Sequence, residues 1–338
     1  MQPTLSIILP IYNKEPYIKK CMESILSQRF KDFEVIIIND GSTDESEKRI
    51  LESIHLEPRV QYHSYPNGGV SIARNRGIEL SKGKYLLFID ADDWIEEDYL
   101  EKITENLVTD ADIYIWGITK DFLGTGTTEV VQPNLTGTYQ QTVFLELFVK
   151  EQYLEKKGLY GYVPNKLIKA SVIKNHHIRF NPHLKKLEDY DFYLSCYSHC
   201  KTMFCFPYAG YHYICGALNS SGQLVKQVDY ISIIDIHHKC YNILNDKNVI
   251  NESSKKILLG AMGNLAVSAF LEMSPICLSK IKNLLKDIEI RESLSTAIQS
   301  IETPYKFLKS NILKQNIHSI YLYLCIWRSY LLIRRKIA

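Results

Sequence analysis

Within the first 95 residues, short apolar runs alternate with amphipathic stretches of helical period, and this order constrains the fold more than any other feature of the chain. Leu5 to Leu9 reads as a strand. Glu15 to Gln28 reads as a helix that opens on Pro16 and gathers Tyr17, Cys21, Met22 and Ile25 on one face. Val35 to Ile38 is a second strand and Asp44 to Ile54 a second helix. Val60 to His63 and Ser71 to Leu80 repeat the pair, and Tyr85 to Ile89 is a fourth strand. Strands joined through helices pair in parallel, and such sheets bind ligands at the carboxyl ends of their strands. The expected fold class is α/β, with function in the polar turns that follow the strands.

Four such turns meet at that edge: Pro10-Ile11-Tyr12-Asn13, Asn39-Asp40-Gly41-Ser42-Thr43-Asp44, Asn67-Gly68-Gly69 and Asp90-Ala91-Asp92-Asp93. Tyr12 offers an aromatic face for a nucleobase. Asp40 is placed to accept a base N–H, and Gly41 lets the turn approach closely. The plain alternatives are a core tyrosine and an Asp-Gly turn followed by helix capping. Asp90, Asp92 and Asp93 stand at the end of an apolar strand, where they repel one another and are costly to desolvate, which points to a bound cation. Their plain alternative is a solvated acidic turn in which Asp92 or Asp93 caps a helix beginning near Trp94.

Beyond Trp94 the pattern weakens. Glu96 to Val108 is an expected helix, Ile113 to Gly117 a strand, Asp121 to Tyr139 a hairpin or loops, and residues 142 to 157 a helix. Asp189 to Tyr197 begins another helix, preceded by Leu187-Glu188-Asp189-Tyr190-Asp191. Those carboxylates suit either a general base or a helix dipole. From about residue 226 the pattern is helical, near 228 to 245, 253 to 272, 277 to 287 and 305 to 335. Cys196, Cys200 and Cys205 with His199 and His212 lack the CxxC spacing of a zinc site, so buried thiols in a reducing compartment are expected. No window reaches the roughly 18 uninterrupted apolar residues of a spanning helix. The net charge of +2 argues against bulk attraction to nucleic acid, but it conceals an asymmetry. Residues 306 to 338 carry seven Lys or Arg and no Asp or Glu, among aromatic and aliphatic residues. Such a basic amphipathic tail suits either an anionic membrane surface or packing on the helical region.

Taken together, Ser6-Ile7-Ile8-Leu9-Pro10-Ile11-Tyr12-Asn13, Asn39-Asp40-Gly41-Ser42-Thr43-Asp44, Ala73-Arg74-Asn75-Arg76-Gly77 and Asp90-Ala91-Asp92-Asp93 resemble the family-2 glycosyltransferases. The resemblance implies a GT-A fold, a Rossmann-like mixed sheet flanked by helices, with a C-terminal helical subdomain. It places a catalytic domain at 1–225, split into a nucleotide-sugar half near 1–95 and an acceptor half near 96–225, and a helical region at 226–338. It implies that Tyr12, in the turn opened by Pro10, stacks on uracil and that Asp40 binds its N3–H. Asn67 and Arg74 match positions near the nucleotide. Asp90 and Asp92 match the DxD pair, which contacts ribose and, through the second carboxylate, a diphosphate-bound Mn²⁺ or Mg²⁺. Asp189 matches the base that deprotonates the acceptor hydroxyl.

Asp93, Lys166 in Pro164-Asn165-Lys166-Leu167-Ile168, Glu188 and Asp191 are secondary or acceptor-side candidates. One departure is Asn39, where many members carry an acid. The implied activity is inverting transfer from a UDP-sugar to a saccharide acceptor, expected to be polyprenyl-linked, in the cytoplasm or on the inner face of the membrane. The competing readings are an inactive sugar-nucleotide-binding scaffold and a polyprenyl-phosphate sugar synthase. A nucleotidyltransferase would carry a Gly-rich, Arg-containing loop that Pro10 to Lys14 does not resemble.

Overall fold

The computed structural model describes residues 2–54, 57–155, 157–216, 230–272 and His318. The chain separates into two compact units, Met1–Lys226 and Gln227–Ala338.

The first unit is built on a mixed sheet of order β3-β2-β1-β4-β10-β6-β11-β9. β1 (Leu5–Ile11), β2 (Phe33–Asn39), β3 (Val60–Ser64) and β4 (Tyr85–Phe88) run parallel, linked through α1 (Glu15–Leu26), α2 (Ser46–Ser53) and α3 (Val70–Leu80). Every residue of β1 and β2 is buried, as expected of strands covered on both faces. The helix α1 turns Ile18, Cys21, Met22 and Ile25 inward. The helix α3 lies so close to β1 that a Cβ on Gly77 would come within 2.3 Å of Ile8 Cγ2. Glu34 is buried within β2 because four donors meet it or its partner. Ser6 Oγ, the Lys82 N–H and Gln61 Nε2 donate to its carboxylate at 2.5 to 2.8 Å, and Ser6 Oγ in turn accepts from the Gly83 N–H.

No helix begins near Trp94, where the capping alternative required one, and the helix expected over Glu96 to Val108 begins at Tyr99. Trp94–Ile95 forms β5 instead, and α4 (Tyr99–Glu105) starts four residues after Ile95, continuing as a 3₁₀ turn over Asn106–Thr109. The cause is long-range: β5 pairs with β12 (Tyr211–Cys215), setting Ile95 opposite Tyr211 and Trp94 opposite His212. A second sheet of order β5-β12-β7-β8 results, in which β7 (Ile118–Phe122) and β8 (Thr127–Val131) make the expected hairpin.

In the main sheet, β6 (Ile113–Ile115), β9 (Gly137–Gln140), β10 (Lys166–Lys169) and β11 (Thr202–Cys205) complete the order. β10 runs antiparallel to both β4 and β6. The stretch 142 to 157 divides into α5 (Gln141–Val149) and a π-turn over Lys150–Leu154, in which Glu151 is buried and accepts from the Asn134 and Leu135 N–H groups. A short α6 (Ala170–Asn175) precedes α7 (Glu188–His199), and the rings of Phe88, Phe180 and Phe192 join β4 to α7 at 3.9 to 5.8 Å. Cys196 belongs to α7, Cys200 follows its last residue and Cys205 belongs to β11, all buried, while the His199 ring meets His176 at a tilt and His212 stacks on Trp94.

In the second unit, α8 (Tyr230–Asp246) and α9 (Glu252–Glu272) pack on each other. Asn251 and Ser254 cap α9 reciprocally, the Ser254 N–H donating to Asn251 Oδ1 and the Asn251 N–H to Ser254 Oγ. The expected helices near 277 to 287 and 305 to 335, and with them the basic tail, lie outside the described residues. Among the described residues no helix is long and apolar enough to cross a membrane.

Candidate active site

The first two turns of the parallel sheet are stitched together by their own polar side chains. Asn13 sits at φ 51° after β1; its N–H donates to Ser42 Oγ and its Oδ1 accepts from the Thr43 N–H. The Lys14 N–H donates to Ser46 Oγ, and the Glu15 N–H to Asp44 Oδ2. Asn39, where the family often has an acid, both accepts and donates: its Oδ1 takes the Ser42 N–H, and its Nδ2 donates to Tyr62 Oη and Ser64 Oγ. A carboxylate could not donate to Tyr62 Oη, whose own hydrogen goes to Glu47. Tyr12, at the lip of these turns, is 36 % exposed.

Asp40 is buried, and its carboxylate gathers the third turn. Oδ1 accepts from the Gly68 N–H and Oδ2 from the Gly69 N–H, while Arg76 Nη1 lies 3.3 Å from Oδ1. The Asn67 amide donates to the Asp40 carbonyl. Gly41 permits this closeness: it sits at φ +73°, and a Cβ there would come within 2.8 Å of the Asn67 nitrogen. Oδ1 thus has two donors already, whereas Oδ2 keeps a second lone pair for a further donor.

The acid turn after β4 distributes its carboxylates among three partners. Asp90 Oδ1 accepts from Arg74 Nη2 at 2.9 Å, and Asp92 Oδ2 pairs with Lys14 Nζ at 2.7 Å. Asp93 is buried and ties the turn to β12, accepting from Tyr211 Oη at 2.6 Å and from the Ile214 N–H at 2.8 Å. Asp93 is therefore a strut to the second sheet; it caps no helix. Burial, with Asp92 and Asp90 nearby, pushes the Asp93 carboxyl well up. Burial also raises Asp92, with Lys14 pulling the other way.

Arg74 joins this turn to the start of α7. Its buried guanidinium holds Asp90 through Nη2 and Asp189 through Nη1 at 2.5 Å, with Glu188 at 3.5 Å. Burial raises the Asp189 carboxyl well above the usual range; Arg74 opposes the shift, and Glu188 and Asp90 add to it. The side chain of Asp189 remains 27 % exposed, so it reaches the open edge. Asp191, also in the first turn of α7, is half-buried, its carbonyl accepting from Ser195 Oγ. Lys166, expected on the acceptor side, is instead fully buried: Nζ donates to the Leu159 and Tyr162 carbonyls and to Asn165 Oδ1, and lies 4.5 Å from the Tyr193 ring. Burial lowers its pKa well below the ordinary lysine value.

Sequence reasoning assigned no role to Lys14, Arg76 or Tyr211. Lys14 was visible as the lone cation of the first turn, and Arg76 as the partner of Arg74 two positions along α3. Tyr211 carried no local signal, because it meets Asp93 across 118 residues of chain.

The resemblance implies a divalent cation. Among the described residues no three His, Cys, Asp or Glu side chains converge to hold an ion. The donor set nonetheless suits an ion that arrives with a diphosphate, because Asp92 is one hard oxygen ligand and Mg²⁺ or Mn²⁺ characteristically completes its shell from substrate phosphates and water. The carboxylates of Asp90, Asp92, Asp93, Glu188 and Asp189 exceed the cations paired with them, Arg74 and Lys14, which favours a further positive charge.

Comparison with known proteins agrees with this geometry. The sequence model described as Glycosyl transferase family 2 matches residues 6–175. The putative glycosyltransferase EpsH of Bacillus subtilis (strain 168) is 30 % identical over 262 residues, covering 75 % of this chain and 73 % of that protein. Glycosyltransferase GlyA of Streptococcus pneumoniae is 41 % identical over 104 residues, which cover 31 % of this chain and 15 % of that protein. The poly(ribitol-phosphate) beta-glucosyltransferase of Bacillus spizizenii is 29 % identical over 220 residues, covering 62 % of this chain and 32 % of that protein. In structure, S. aureus TarS 1–349 in complex with UDP-GlcNAc superposes with a TM-score of 0.68 at 18 % identity, over 96 % of this chain and 91 % of that one. The likeness extends through the fold and the sequence alike: the chain is a glycosyltransferase of the GT-A fold and belongs to glycosyl transferase family 2.

Proposed function

We propose that the enzyme transfers a sugar from a UDP-sugar to a hydroxyl of a saccharide acceptor, with inversion, in the assembly of a surface polysaccharide or glycoconjugate. The observation that carries this reading is the Arg74 guanidinium, which holds the DxD carboxylate Asp90 on one nitrogen and the base candidate Asp189 on another. The nucleotide half, 1–95, receives uracil on Tyr12, just past the end of β1 that holds Pro10, with Asp40 and Asn67 beside it and Asp90 toward the ribose. Asp92 faces the diphosphate, where a bound Mn²⁺ or Mg²⁺ would neutralise the leaving charge. Asp189, in the acceptor half at 96–225, takes the hydroxyl proton as that oxygen attacks the anomeric carbon and the bond to the diphosphate breaks. A single displacement inverts the configuration. Arg74 is a positioning residue that keeps the two acid groups in register.

The names of the relatives support the setting. One is a poly(ribitol-phosphate) glucosyltransferase, and chondroitin and hyaluronan synthases of Pasteurella multocida are 40 % identical over 108 residues, 11 % of each. The basic aromatic tail of the 226–338 region supports, on sequence grounds, a peripheral position on the inner membrane face and a polyprenyl-linked acceptor. The deciding experiment is UDP release from a panel of UDP-sugars with Mn²⁺, compared with Asp92→Ala and Asp189→Asn. Release that needs the metal, is selective for one donor and disappears in both variants supports the transferase. UDP bound but never released, with or without saccharides, would favour the scaffold.

A further inference from the structure

Between the two acid groups stand two tyrosines whose hydroxyls have no hydrogen-bond partner among the described residues. β12 alternates its faces, so Tyr211 and Tyr213 point to the carboxylate side and His212 to the other, where it stacks on Trp94 at 3.6 Å. Tyr211 Oη and the Ile214 N–H both donate to Asp93, so Tyr213 is flanked on each side by a bond that pins its strand to the acid turn. Burial and the nearby Asp93, Asp90 and Asp92 push the Tyr213 phenol up.

The Tyr213 ring meets the Tyr162 ring at 5.7 Å, tilted by 38°. Tyr162 comes from the opposite side of the site. Its loop lies against α7, one turn beyond Asp189, where Tyr193 Oη donates to the Val163 carbonyl at 3.0 Å. The buried Lys166 ammonium clamps the same loop through the Leu159 and Tyr162 carbonyls. The pair thus bridges the acid turn and the base-bearing helix, where a sugar in transit between leaving phosphate and acceptor must lie.

The hydroxyls mark these two rings off from their neighbours. Tyr211 donates to Asp93, Tyr193 to the Val163 carbonyl, Tyr197 to the Tyr160 carbonyl and Tyr99 to the Pro164 carbonyl, and the Tyr153 and Tyr190 hydroxyls bond to each other. Neither Tyr162 nor Tyr213 has a hydroxyl partner among the described residues, both side chains are half-buried, and neither oxygen is sealed from solvent. A purely structural aromatic pair would be expected to bury or satisfy those oxygens.

We propose that Tyr162 and Tyr213 form a pyranose subsite, in which the C–H face of a sugar ring packs on the paired rings and the two phenols read its hydroxyl groups. The inference rests on the transferase reading above, and it gives the buried Lys166 a role as positioning residue for Tyr162. The ring seated there belongs either to the donor or to the acceptor, and the experiment separates the two.

Calorimetry of the full chain with Mn²⁺ would compare UDP with UDP-glucose, UDP-galactose and UDP-GlcNAc for the wild type, Tyr213→Leu, Tyr162→Leu and the milder Tyr213→Phe. Saturation-transfer NMR with methyl pyranosides, in the presence of UDP, would follow the acceptor side. UDP affinity is expected to stay within about twofold of wild type in every variant. A donor ring at the subsite predicts that the affinity gained by the preferred UDP-sugar over UDP falls about tenfold in the leucine variants. An acceptor ring predicts unchanged UDP-sugar affinity and lost saturation transfer to the pyranosides. Variants that keep wild-type binding of both probes overturn the proposal, as does a parallel loss of UDP affinity in well-folded Tyr213→Phe, which would mark nucleotide or structural support. Wild-type protein that binds no UDP would sink the transferase reading, a different result from either.

Discussion

At the scale of single residues, the site is organised by charges that cannot all be satisfied at once. Asp189 carries a carboxyl raised by burial and by Glu188 and Asp90, and as the proposed base it needs the ionised form to accept a proton. Turnover should therefore fall as pH drops through a value above the ordinary carboxylate pKa of about 3.9. Arg74 stabilises the ionised form, so Arg74→Gln should move this acid limb to still higher pH; a limb that stays in place in the pH profile of kcat would show that Arg74 does not act through Asp189. Asp189→Asn keeps the side-chain size and removes the base, and should lower kcat by about 10²- to 10⁴-fold while UDP affinity by calorimetry is retained. A large loss of UDP affinity would instead make Asp189 part of nucleotide binding. Lys14 is the residue least expected from sequence, since it pairs with Asp92, the carboxylate that the proposed nucleotide-bound cation would use.

The elements are held in place by a few points of close approach. Gly77 of α3 lies against Ile8 of β1, and Gly77→Ala drives a methyl into that side chain. The expected cost is about 1–3 kcal/mol of stability, seen as a lower Tm with donor KM little changed. At Gly41 the same substitution works on the site, because a left-handed φ and contact with the Asn67 backbone both resist a Cβ. Gly41→Ala should weaken UDP binding more than it lowers Tm, and an unaltered UDP affinity would remove this turn from the nucleotide site.

Most strands and helices of residues 5–89 were legible in the sequence, because each is a run of local periodicity closed by its own turn. β5, β10, β11 and β12 were not, having two to five residues and no local signature; their strand form depends on partners distant in sequence, as when Tyr85 pairs with Lys169 and Trp94 with His212. The acidic stretch at Asp92 and Asp93 shows the consequence. Local chemistry offered a helix cap, whereas Tyr211 and the Ile214 N–H bind the Asp93 carboxylate just ahead of the pairing of β5 with β12.

For the whole molecule, the concentration of positive charge at 306–338 predicts salt-sensitive association with anionic vesicles, which co-sedimentation of the full chain would measure. Substituting Arg334, Arg335 and Lys336 together by Gln should weaken that association without changing UDP release from a soluble donor; equal sedimentation of the variant would assign the tail to packing. The residues at the carboxyl edge of the parallel strands were readable one by one because the βα pattern dictates that every turn after a parallel strand shares one side of the sheet. Sequence alone thus determined the parallel half, its edge and the acids placed there. The tertiary structure decided that Arg74 links Asp90 to Asp189, that Lys166 is interior and that Tyr162 meets Tyr213. Each of those contacts joins segments whose closeness is set by the packing of the sheets and α7, and no local periodicity encodes it.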